Sequence, residues 1–149
     1  MTRRRSLIHC GPIAFCLLVA ASCANPDGAT NAVTIRHQRV EVEVVETPAA
    51  RQLGLGKRAS LAWHRGMLFV YDEPAFTGIW MKNMRFDIDI VWLRDGRLVD
   101  MVWRVPHEPG DPLPVYRPRE LADMVLEVPA GYAQAHGWQR GDRAEIERR

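Results

Sequence analysis

Trp80, Lys82, Asn83, Asp87 and Asp89 bring an indole, an amine, an amide and two carboxylates into one short stretch, "WMKNMRFDID". On an extended strand successive side chains point to opposite faces. Asp87 and Asp89 would therefore share a face with Val91 and Leu93, about 7 Å apart along the strand. Phe86, Ile88, Ile90 and Trp92 take the other face. With Met84-Arg85-Phe86 as a tight connection, Lys82 would approach Asp87 or Asp89 across a hairpin. That set, with Arg51 and Tyr116 as outer members, can orient a small polar ligand against Trp80 as a stacking platform. With a raised carboxyl pKa it could also do general acid–base chemistry. The simpler reading is a Lys82–aspartate ion pair that locks the hairpin, because a buried charge has to be paired. Asn83 would then satisfy backbone groups of the turn.

Other chemistries leave weaker traces. His107 and Glu108 lie in a proline-rich stretch, but His37, His64 and His136 are scattered and no HExxH occurs. Met81, Met84 and Met101 near His107 would be soft ligands for copper(I), yet methionine in a β domain is first of all core filler. The expectation is no metal and no cofactor. "GLGKRAS" lacks the first glycine of a phosphate loop at the right offset and a Ser or Thr after the lysine, and no GxSxG elbow is present. Catalytic residues therefore stay unassigned. Carboxylate-based hydrolases carry no short signature, so an enzyme stays open.

The elements that must position these groups are short. "RVEVEVVE" alternates Val40, Val42 and Val44 with Glu41 and Glu43, a half-buried strand. "TPAARQLGLG" reads as a helix capped by Thr47, with Pro48 in its first turn and Gly54 or Gly56 at its end. "GMLFVYDEP" is a strand buried on both faces, and "FTGIWMK" is the next. "FDIDIVWL" and "RLVDMVWRV" flank Asp95-Gly96, which predicts a type I′ hairpin. Residues 105–119, "VPHEPGDPLPVYRPR", carry five prolines and almost no periodicity; a loop of this length is more often functional than idle. "DMVLEV" returns as a strand, "PAGYAQAHG" as a helical turn or two ending at Gly137, and "GDRAEIER" as the last strand. The fold class is mainly β: a single small barrel or sandwich of about seven strands with one or two short helices.

The first 24 residues belong to a different object. "MTRRRS" is basic, "LIHCGPIAFCLLVAA" is apolar but short for a membrane span, and "AASCA" supplies small residues for processing. Residues 1–24 thus read as a signal peptide, with Arg3 to Arg5 followed by Ser6-Leu7 as a partial twin-arginine pattern. Cleavage after Ala24 would free a protein starting at Asn25. Alternatively Ala20-Ala21-Ser22-Cys23 resembles a lipobox, with Cys23 lipidated. Residues 25–32 then form a polar tether and 33–149 the domain. The expected location is exported: periplasmic, or a membrane-anchored lipoprotein facing the periplasm or the cell exterior.

Without the leader's three arginines, 17 basic side chains face 18 acidic ones, so no basic field remains to attract nucleic acid. Membrane contact would come only through a lipid on Cys23. Cys10, Cys16 and Cys23 all lie at or before the cleavage site, so the domain has no disulfide and holds together by packing.

"RQLGLGKR", "GMLFVYDEP", "WMKNMRFDIDIVWL", "DGRLV", "YRP", "VLEVPAG" and the late "GD" resemble, in order and spacing, the uncharacterised bacterial and archaeal family called domain of unknown function 192. The resemblance covers roughly residues 40 to 147. It implies a compact mainly-β fold, often behind an export or lipoprotein leader, and no established activity. Relatives usually carry methionine where Gly56 stands, so the space of that side chain near Leu55 must be filled otherwise. The first functional reading is an envelope module binding a small polar ligand or an envelope partner, with Trp80, Lys82, Asn83, Asp87 and Asp89 as the binding face and loop 105–119 as cover. The alternative is a small envelope hydrolase or lyase with Asp87 or Asp89 as base and Lys82 as electrostatic stabiliser. A third is a structural domain whose polar cluster only fixes the fold. Oligomeric state stays open.

Overall fold

The computed structural model describes residues 30–108 and 110–149, and the first described elements form a hairpin. β1 (Ala32–Ile35) turns at Arg36 and His37 into β2 (Gln38–Val45). Both turn residues hold positive φ, 48° and 66°, which matches a two-residue turn to the twist of its strands. The leader, Cys23 and the first part of the expected tether lie outside the described residues. Along β2, Val40 and Val42 are buried and Glu43 is exposed, as alternation requires. Thr47 caps α1 (Pro48–Leu53) by accepting the Ala50 amide on its Oγ1 at 3.2 Å. Pro48 fills the first turn, where no amide partner is needed, and Gly54 ends the helix at φ 51°.

α1 sits in the crossover to β3 (Arg65–Ala75), which runs parallel to β2 with Val45 opposite Phe69. Met67, Leu68 and Phe69 are all buried, as a strand covered on both faces demands. β4 (Ile79–Trp80) is only two residues long. β5 (Ile88–Arg94) and β6 (Arg97–Val105) form the expected hairpin, with Asp95 and Gly96 at φ 49° and 68°. β7 (Val115–Tyr116) pairs back onto β4, Ile79 opposite Tyr116, as a small second sheet. β8 (Ala122–Pro129) is antiparallel to both β5 and β3. α2 (Tyr132–Ala135) follows, and β9 (Ala144–Glu147) pairs with β1.

The main sheet runs β6-β5-β8-β3-β2-β1-β9 and curls until its edges meet. Arg97 bridges Arg143, the Gly141 amide donates to the Leu98 carbonyl at 2.7 Å, and the Ala144 amide donates to the Gly96 carbonyl at 2.8 Å. The result is a half-barrel zipped along part of one seam. Inside it lie Val33, Ile35, Leu68, Val91, Leu93 and Leu126, closed off by Tyr132, Ala133 and Trp138. The opposite face carries Met67, Phe69, Ile88, Ile90, Trp92 and Val125 under Leu55, Ile79 and Met81. A mainly-β fold with two short helices is therefore borne out, with β1 and β7 added to the seven strands expected.

One expectation fails. The Trp80 segment and the Asp87 strand do not form a hairpin: β4 pairs with β7, while β5 lies between β6 and β8. Ile79 and Met81 explain this, because both bury against the outer face of the main sheet and hold β4 across it. Part of the stretch expected to be a structureless loop becomes β7, the partner of β4.

Candidate functional site

Asp89 is fully buried, and its acceptors are occupied by backbone amides. Oδ1 accepts from Arg104 and Gly131, both at 2.8 Å, and Oδ2 accepts from Ala133 at 2.9 Å. Two local facts create these donors. β6 carries one extra residue between Val102 and Val105, with Arg104 at φ 49°, so a bulge turns its amide inward. The N-cap of α2 is Gly131, which has no side chain to cap the helix, and Asp89 supplies the missing acceptor from a strand. Asp87 is partly exposed. Its Oδ1 accepts the His107 amide at 2.8 Å and lies 2.6 Å from His107 Nδ1. The side-chain bond to His107, with the backbone bond second, holds the Asp87 carboxyl below the usual carboxylate range.

Neither aspartate, then, pairs with Lys82, and the ion-pair lock and the Asp89 base both have to be given up. Lys82 Nζ instead lies 5.6 Å from the centre of the Trp80 ring. Asn83 contributes backbone: it takes the positive φ of 59° that asparagine tolerates, and its carbonyl accepts the Lys57 amide at 2.7 Å. Tyr116 is half-buried behind Ile79 in the small sheet.

Trp80 and Lys82 line a cleft of about 370 Å³ between α1, the 54–56 turn, β3 and β4. Arg51, Leu53, Phe69, Tyr71, Met84 and Glu127 also line it, whereas Asn83, Asp87, Asp89, Tyr116 and the described residues of the 105–119 segment do not. Among the described residues the expected cover is therefore absent from this wall. Trp92 fixes one side by donating its Nε1 to the Thr77 carbonyl at 3.0 Å, just ahead of β4. The 54–56 turn fixes the other. Gly56 is needed there, because a Cβ would come within 2.8 Å of the Leu53 carbonyl and 3.2 Å of the Lys82 carbonyl. The backbone itself thus closes the space that a methionine would have to fill, and Leu55 is buried beside it.

Glu127 is the floor. It lies in β8 between Met67 of β3 and Ile90 of β5, and is 4% exposed. Burial pushes its carboxyl up to about 8, with no neighbour pulling it back. At neutral pH it is mostly protonated, a hydrogen-bond donor at the base of an open cleft. Arg51 stands above: its Nη1 donates to the Val70 carbonyl at 2.7 Å and to the Glu46 carbonyl, and its guanidinium lies 4.7 Å from the Tyr71 ring centre. Burial raises the Tyr71 hydroxyl to about 12; Arg51 pulls it down and Glu127 pushes it up. Glu127 and Tyr71 escaped the sequence reading. The signal available was one acid inside "MVLEVP", a stretch otherwise apolar.

Two crystal structures share this fold. A protein of unknown function from Novosphingobium aromaticivorans is 25% identical, with a TM-score of 0.70 over 76% of this chain and 83% of its own. A protein from Sinorhizobium meliloti, described as a candidate transcription regulator, is 30% identical, with a TM-score of 0.72 over 79% of this chain and 94% of its own. No curated protein matches the chain. The family described as DUF192, Uncharacterized ACR, matches residues 30–146, which is nearly everything from β1 to the last strand. The chain belongs to the DUF192 family.

Proposed function

We propose that this protein is an exported, lipid-anchored envelope domain that binds a small organic ligand in the cleft floored by Glu127. The observation that carries the reading is the contrast between two buried acids. Asp89 makes three amide bonds and so explains itself structurally. Glu127 is nearly as buried, has only burial acting on its pKa, and opens onto a cleft lined by Trp80, Lys82 and Arg51. An acid kept in that position destabilises the fold, and a perturbed acid in a cleft is the signature of a site.

The hydrolase or lyase alternative loses the carboxylates first assigned to it, since Asp89 is saturated by amides and Asp87 is bonded to His107. Regulation of transcription is a description of the S. meliloti protein. Here the near balance of 17 basic and 18 acidic side chains after the leader supplies no DNA-facing field.

Titrating the labelled domain with a library of small organic fragments should shift the resonances of the Trp80 indole, Leu53 and Tyr71 together. Trp80→Ala should weaken the best fragment by roughly tenfold, as loss of a stacking platform does. Shifts confined to the opposite side of the sheet, around Gly96 and Arg143, would remove the cleft from consideration. Anchoring is checked separately: the mature protein should begin at Cys23 with a mass increased by acyl chains. An unmodified start at Asn25 would replace the lipoprotein with a free exported protein.

A further inference from the structure

We infer that the ligand of this cleft is a small organic anion with a flat apolar body, its charge drawn by Lys82 and Arg51 and its body seated against Trp80, Phe69 and Leu53. The inference rests on the reading of the cleft as a ligand site and adds the class of molecule it takes.

The charges define the class. Arg51 uses its hydrogen bonds on two neutral carbonyls, and Lys82 rests over an indole, so both cations bring an uncompensated charge to the cleft. The one acid that lines it among the described residues is Glu127. Around the same cleft α1 presents Arg51, β3 presents Tyr71 and the turn after β4 presents Lys82, while burial alone acts on the Glu127 carboxyl. β5 presents Ile90 and Trp92, its Asp89 being turned to the amides of α2. Tyr71 stays a neutral phenol, since burial lifts it to about 12. The cleft is therefore positive at neutral pH, with a protonated carboxyl at its floor that can donate a hydrogen bond to an anion and would repel one once ionised. A cationic ligand meets the reverse on every side. Phe69, Leu53, Ile79, Trp80 and Met84 supply much of the remaining wall, a lining for a planar hydrocarbon body.

Three probes of one shape test this on the purified mature protein: 2-naphthoate, 2-naphthamide and 2-naphthylmethylammonium, each titrated by calorimetry. Naphthoate should bind roughly tenfold or more tightly than the amide, and the ammonium most weakly. Lys82→Ala, a change at an exposed side chain, should narrow the preference for naphthoate over the amide several-fold, with Arg51 keeping the remainder. Above pH of about 8, naphthoate affinity should fall up to about tenfold per pH unit in the wild type and stay flat in Glu127→Gln. Equal or reversed preference among the three would overturn the anion while leaving the cleft as a ligand site. Failure of all three to bind, with no shift of the Trp80 resonance, would overturn both.

Discussion

Asp89→Ala will cost the domain a large share of its folding free energy. Truncation strips the acceptor from three amides at once, those of Arg104, Gly131 and Ala133. Two of these bonds lie in the interior, where water cannot substitute. An orphaned buried donor costs about 1–3 kcal/mol, so a loss of roughly 4 kcal/mol or more is expected, against the 5–15 kcal/mol typical of a whole domain. Asp89→Asn should fall between. Its oxygen can still serve Arg104 and Gly131, but its amide nitrogen would face the Ala133 amide, donor against donor. Urea denaturation followed by tryptophan fluorescence reads both, because Trp138 and Trp63 each pack against Tyr132 at the start of α2. Asp87→Ala is the control: its carboxylate is partly exposed, and the change should stay within about 1 kcal/mol. An Asp89→Ala protein as stable as that control would refute the capping role.

Glu127→Gln should make the protein more stable, and increasingly so as the pH rises. Unfolded, the carboxyl titrates near its ordinary 4.5; folded, it titrates near 8. Between those values the unfolded chain has released a proton that the folded chain still holds. Wild-type stability therefore falls with rising pH by up to roughly 1.4 kcal/mol per unit, levelling off above the folded pKa. Below 4.5 both states are protonated and the term vanishes. Glutamine removes it altogether. The difference in unfolding free energy between variant and wild type should grow from near zero at the acid end to several kcal/mol near pH 8, measured by urea denaturation across that range. A difference that does not change with pH would mean that water reaches the carboxyl and that its burial is nominal. If the variant is also the weaker binder, stability and binding trade against each other at this one residue.

Much of the frame was legible because local chemistry specifies it. Asp95-Gly96 announces its turn, Thr47-Pro48 and Gly54 bracket α1, and the alternating valines of β2 declare a face. What stayed hidden depends on distant partners. Arg36-His37 makes the same kind of turn as Asp95-Gly96 without glycine or asparagine, and β1 is held between β2 and a strand near residue 146. β4 and β7 are two-residue strands defined only by each other.

The site divides in the same way. Trp80, Lys82 and Arg51 were recognisable as residue types, and all three line the cleft. Asp87 and Asp89 were misplaced because their partners are mainly backbone amides, which any residue type can supply. Glu127 was overlooked because a single acid in the strand "DMVLEV" says nothing about what covers it. Here both faces of the central sheet are covered, so the polar-looking position becomes the bottom of a cavity.

The seam between β6 and β9 sets an order of events for a newly made chain. Ala32 meets Glu147 and Gly96 meets Ala144, so the curl cannot shut until residues 141–147 have arrived, whatever else has already formed. Contacts so far apart along the chain are slow to find. A polypeptide threaded through a narrow passage from its front end would thus travel open and complete its wall only on the far side.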